Sequence, residues 1–64
     1  MKVNGISQNL SERVTLRCFL EGDGYDCARV AVERNGEIVP RDSFDGVLLD
    51  NSDTLEIVRF VGGG

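Results

Sequence analysis

Val30-Ala31-Val32-Glu33-Arg34-Asn35-Gly36-Glu37-Ile38-Val39-Pro40-Arg41 reads as a β-hairpin. Val30 and Val32 recur at the two-residue period of a strand and so share one face. Asn35-Gly36 supplies two residues that tolerate positive φ, the requirement of a type I′ turn. Glu37-Ile38-Val39 returns as the partner strand. Pro40 has no N–H to give to a ladder, so it ends that strand or places it at a sheet edge.

The rest of the chain extends this pattern in both directions. Met1 to Val3 is extended, Asn4-Gly5 is a second two-residue turn signal, and Ile6 to Leu10 is a weak, edge-like return strand. Thr15 is a candidate helix cap, Leu16, Phe19 and Leu20 fall on one helical face, and Gly22 suits a C′ position. Asp23 to Arg29 is polar and loop-like. Asp42 to Asp50 is irregular, with Phe44, Val47, Leu48 and Leu49 available to cover a core, and Asn51-Ser52-Asp53 is a turn. Thr54-Leu55-Glu56-Ile57-Val58-Arg59-Phe60-Val61 is the longest strand signal and runs directly into Gly62-Gly63-Gly64. The order strand, strand, helix, strand, strand, strand suits a two-layer α+β domain, a small mixed sheet of about five strands packed on one helix.

Composition narrows the function classes. Sixty-four residues make one small domain with no room for a deep cleft in its own core. Eleven acidic residues against seven basic ones give a net charge of −4. This disfavours nucleic acid and anionic membrane surfaces, and suits a partner with a basic surface. No apolar run approaches the ~20 residues of a membrane span. Met1-Lys2-Val3-Asn4-Gly5 lacks an apolar signal core, so the expected location is the cytoplasm. Cys18 and Cys27 are too few for a disulfide scaffold and read as reduced thiols. With no histidine in the chain, a zinc site is not expected. The alternative for a cysteine is a sulfur-handling nucleophile, and only Cys18, beside Arg17, has a basic neighbour.

The tail admits two readings. It is a frayed end, as termini commonly are, or an arm whose only functional group is the Gly64 α-carboxylate. Three extended glycines span roughly 10 Å, and their missing side chains permit threading into a narrow site. In the strand before it, alternation puts Leu55, Ile57 and Arg59 on one face and Glu56, Val58 and Phe60 on the other. Val58 and Phe60 are therefore a candidate docking patch beside the tail; for Phe60 the alternative is closure of the end of the core. Glu33, Arg34, Glu37 and Arg41 read as a solvated face, and Arg41 and Arg59 are candidate contacts to an acidic rim of a partner.

The segment Val30 to Arg41, together with Leu55-Glu56-Ile57-Val58-Arg59-Phe60-Val61-Gly62-Gly63-Gly64, resembles the ThiS family of sulfur carriers of thiamin biosynthesis. The two segments occur in that family's order and spacing and cover the second half of the chain. Asn4-Gly5 and the Thr15-Leu16 to Phe19-Leu20 pattern add a weaker match in the first half. Two departures are visible: a shorter opening strand, and no glycine before the aspartate in Asn51-Ser52-Asp53. Neither touches the tail.

The resemblance implies a ubiquitin-like β-grasp domain over residues 1–61 and a flexible glycine tail over 62–64. It implies a carrier rather than an enzyme, without catalytic or metal-binding residues of its own and with no bound cofactor. A ThiF-type adenylyltransferase would use ATP and magnesium to activate the Gly64 carboxylate. Sulfur from a cysteine desulfurase would convert it to a thiocarboxylate, and thiazole synthase (ThiG) would consume that sulfur. Gly62 and Gly63 would form the arm, Val58, Phe60 and Val61 would dock on partners, and the free chain would be a monomer. The same fold and tail also serve sister carriers, such as those of molybdopterin synthesis. A β-grasp interaction module with incidental glycines is the reading from a different class.

Overall fold

Two Asn-Gly turns set the sheet. Asn4 (φ 51°) precedes Gly5 (φ 83°), and Asn35 (φ 53°) precedes Gly36 (φ 87°). This left-handed pair matches the twist of the flanking strands. The first turn joins β1 (Lys2–Val3) to β2 (Ile6–Ser7), and the second joins β3 (Val30–Arg34) to β4 (Glu37–Ile38). The last strand, β5 (Thr54–Arg59), lies between the hairpins, parallel to β1 and antiparallel to β3. The sheet order is β2-β1-β5-β3-β4, a mixed five-stranded sheet. The structure, a computed structural model, describes residues 1–60; Val61, Gly62, Gly63 and Gly64 lie outside the described residues.

One helix, α1 (Leu16–Gly22), covers one face of this sheet. Its first turn is held from three directions. Thr15 Oγ1 accepts from the Cys18 N–H at 3.2 Å, while Val47 O and Phe44 O accept from the Leu16 and Arg17 N–H groups. Those donors have no partner within a helix, so the loop after β4 satisfies what the helix cannot. Thr15→Ala is expected to cost about 1 kcal/mol, read as a lower denaturation midpoint with an unchanged slope. Leu16, Phe19 and Leu20 pack on Val3, Val30, Val32, Leu55 and Ile57, with Phe44 and Leu49 closing the remaining side of the core.

Several local features differ from the sequence expectation. Gly22 is the last helical residue rather than the C′ residue; Asp23 is the cap, and Gly24 (φ 84°) carries the left-handed exit. Asp23 to Arg29 is not plain loop, since Cys27–Arg29 form a 3₁₀ turn capped by Asp26 and the Cys27 side chain is buried. A second 3₁₀ turn, Arg41–Ser43, follows Pro40. The return strand after Gly5 stops at Ser7, where Gln8 and Asn9 offer no apolar face to bury. Among the described residues, no helix is long and apolar enough to cross a membrane.

Candidate functional site

The candidate site is built on β5, the strand that delivers the chain to its last residues. Two turn asparagines grip it by the backbone. At one end, Asn35 N–H donates to Thr54 O at 2.8 Å, and Asn35 Oδ1 accepts from Thr54 N–H at 2.9 Å. Further along, Asn4 N–H donates to Leu55 O at 2.9 Å. The Asn4 side chain then continues the ladder where β1 has run out: Oδ1 accepts from Ile57 N–H at 2.7 Å and Nδ2 donates to Ile57 O at 3.2 Å. An asparagine here both tolerates positive φ and imitates a peptide group.

Asp53, immediately before β5, is the one buried acidic residue among those described. Its carboxylate accepts from Asn35 Nδ2 at 3.0 Å, the Asp50 N–H at 2.9 Å and Arg34 Nη2 at 3.1 Å. Burial pushes this carboxyl up, but the hydrogen bonds from Asn35, Asp50 and Arg34 outweigh it and hold the group below the ordinary carboxylate range. The unfolded chain therefore takes up a proton first as pH falls. The contribution of Asp53 to stability is complete above about pH 4, the unfolded value, and is lost as pH falls through the lower folded value. Denaturation midpoints measured from pH 5 to pH 2 should fall across that window, and should fall less in Asp53→Asn.

The face of the sheet away from α1 carries the predicted docking residues. Val58 and Phe60 are 58% and 55% exposed, and both lie on this face by the alternation that buries Leu55 and Ile57. Phe60 therefore does not close the core. The register adds residues the sequence reading did not gather. Ala31 sits opposite Val58, and Ile38, 75% exposed, sits opposite Glu33. Counting across the Asn35-Gly36 turn would have placed Ile38 on this face. Ala31, Ile38, Pro40 and Phe60 all line a shallow groove of about 200 Å³. Glu33 and Glu56 face each other across β3 and β5 and form no ion pair among the described residues. The surface is thus apolar at its centre with negative charge beside it.

Other charged side chains are engaged by the fold itself. Arg41 donates Nε to Cys27 O at 3.0 Å and Nη2 to Val30 O at 3.2 Å, so it ties the loop to β3 rather than standing as a free surface charge. Arg34 holds Asp53 and Leu48 O. The Arg59 guanidinium lies over the Tyr25 ring, 4.5 Å from its centroid. Burial pushes the Cys27 thiol up, which disfavours the reactive thiolate, while Cys18 is exposed on α1. The remaining predicted site residues, Val61, Gly62, Gly63 and Gly64, lie outside the described residues.

The ThiS family model matches residues 1–64. The crystal structure of a thiamine biosynthesis protein (ThiS) from Geobacter metallireducens superposes with a TM-score of 0.81 at 30% identity, covering 98% of this chain and 96% of that one. The sulfur carrier protein ThiS of Bacillus subtilis is 51% identical over 35 residues, 55% of this chain and 53% of that protein. A thiazole synthase of Paramagnetospirillum magneticum is 47% identical over 62 residues, 97% of this chain but 19% of that protein. The chain thus spans about a fifth of the length of the thiazole synthases it matches. With its whole length matched and a five-stranded mixed sheet on one helix, the chain belongs to the ThiS family and has a β-grasp fold.

Proposed function

We propose that this chain carries sulfur for thiazole formation in thiamin biosynthesis as the thiocarboxylate of Gly64. Residues 1–61 act as the folded carrier and Gly62–Gly64 as the arm. A carboxylate is a poor electrophile because its charge is shared by two oxygens. A ThiF-type adenylyltransferase, using ATP and magnesium, converts it to an acyl adenylate, whose AMP is a good leaving group. The terminal sulfur of a cysteine desulfurase persulfide attacks the carbonyl carbon and displaces AMP, giving an acyl disulfide. A second thiol, such as that of free cysteine, then reduces its S–S bond, forming a disulfide with the departing sulfur and releasing the thiocarboxylate, from which thiazole synthase draws its sulfur. The carrier acts as a co-substrate and not as an enzyme, a monomer when free, working in the cytoplasm.

The family match over residues 1–64, which include the terminal glycines, is the observation that carries this reading. The thiazole synthase relatives support that enzyme as the consumer, because most of this chain is matched inside a protein of that name. Val58, Phe60 and Val61 are proposed to dock on the partners, with Ala31 and Ile38 widening the apolar surface. Ordering the tail costs about 1–2 kcal/mol per residue, and burial of this patch offsets that cost. Val58→Asp and Phe60→Ser should leave the melting temperature unchanged and raise the apparent KM for the adenylyltransferase about ten- to a hundredfold. The reaction itself is tested by reconstitution. With adenylyltransferase, desulfurase, cysteine and ATP, the charged carrier should support thiazole formation by thiazole synthase. Sulfur delivery only to a molybdopterin synthase would assign it to the sister pathway, and delivery to neither would make it an interaction module.

A further inference from the structure

Alternation fixes which edge of β5 each backbone group faces. Asn35 pairs with Thr54 and Phe60 N–H donates to Arg29 O at 2.9 Å, so even-numbered residues of β5 bond toward β3. Odd-numbered residues face the other edge. There Leu55 meets β1 and Ile57 meets the Asn4 side chain. Arg59 is next in line, and β1 has already turned away at Asn4-Gly5. Among the described residues, no group hydrogen-bonds the Arg59 N–H or C=O. Asn4 thus ends the ladder one step short and leaves an open strand edge beside the docking patch. By contrast, β2 and β4, the outer strands of the sheet, are two residues each, the short form that resists strand addition.

We propose that the activating partner adds an extended segment to the open edge of β5 at Arg59, in line with β1, and so draws the tail out as a strand toward its active site. This deepens the proposed function and rests on it. The occupant is a strand of the adenylyltransferase. Residues of that strand on the outer side meet Val58 and Phe60 and are apolar; the residue opposite Arg59 shares its face and is acidic or polar. A second copy of this chain is a poor occupant, because two carriers of charge −4 repel.

Amide hydrogen exchange followed by NMR tests this. In the free carrier, Ile57 N–H should be protected and Arg59 N–H should exchange near the rate of an unstructured peptide. Saturation with a ThiF-type adenylyltransferase should slow Arg59 by at least about thirtyfold, alongside shifts at Val58 and Phe60. A synthetic carrier with an ester in place of the Arg59 amide loses a donor that has no partner in the free fold. It should fold normally and bind the adenylyltransferase about three- to tenfold more weakly. Unslowed exchange at Arg59 together with unchanged affinity of the ester, while Val58 and Phe60 still shift and Gly64 is still activated, would overturn the strand addition and leave the carrier function standing. Protection of Arg59 in the free carrier that grows with its concentration would instead assign the edge to self-association and overturn the proposal. Absence of both binding and activation would defeat the function on which it rests.

Discussion

Removal of Gly64 is expected to reduce sulfur acceptance by at least a hundredfold while leaving the melting temperature of the domain unchanged. The truncated chain still ends in a carboxylate, now on Gly63, so the loss comes from reach. One extended residue spans about 3.5 Å, and misplacing a reacting atom by even ~1 Å costs about a hundredfold. The fold should not notice, since the deletion takes away no side chain and the described core runs from Val3 to Ile57. A carrier synthesised with a C-terminal amide at Gly64 keeps the reach and removes the reactive oxygen. It should accept no sulfur while competing with the native carrier for the adenylyltransferase. Pyrophosphate release with each variant, beside thermal melts, separates the two effects.

Asp53→Ala carries the largest expected loss of stability. It leaves Asn35 Nδ2 without Oδ1, and Arg34 Nη2 and the Asp50 N–H without Oδ2. Removing one partner of a buried ionic cluster costs about 3–5 kcal/mol, and the lower end applies because the Arg34 side chain is one-third exposed. A chain of this length has a total stability of roughly 3–10 kcal/mol. The variant should therefore lose about a third or more of its total stability, read as a lower denaturation midpoint with an unchanged slope by circular dichroism. Arg34→Ala, which removes the more exposed partner and keeps the other two donors to Asp53, should cost less than half as much.

How far the sequence reveals this molecule depends on how local each signal is. Asn4-Gly5 and Asn35-Gly36 were readable because a type I′ turn needs positive φ at two adjacent residues, and few residue pairs supply it. The helix was readable from Thr15 and the spacing of Leu16, Phe19 and Leu20. Val58 was readable as outward-facing because strand alternation needs no long-range information, whereas for Phe60, at the strand's end, alternation left closure of the core open until the fold showed it 55% exposed. Asp53 was not: Asn51-Ser52-Asp53 looks like an ordinary solvated turn, and only the approach of Arg34 and Asn35 from the other hairpin makes its burial tolerable. Arg41 likewise looked like surface charge until the fold brought the carbonyls of Cys27 and Val30 to it. The parallel pairing of β1 with β5 joins the first and last strands and leaves no local trace. The second grip of Asn4, on Ile57, is hidden for the same reason.

The most direct test of the account is the intact mass of the carrier after incubation with a ThiF-type adenylyltransferase, ATP, magnesium, a cysteine desulfurase and cysteine. The expected result is a mass gain equal to the exchange of one oxygen for sulfur, dependent on ATP and mapped by fragmentation to Gly64, with Cys18 and Cys27 unmodified. An unchanged mass with a partner shown to charge another ThiS protein, or added sulfur located on Cys18 or Cys27 instead of Gly64, would contradict it.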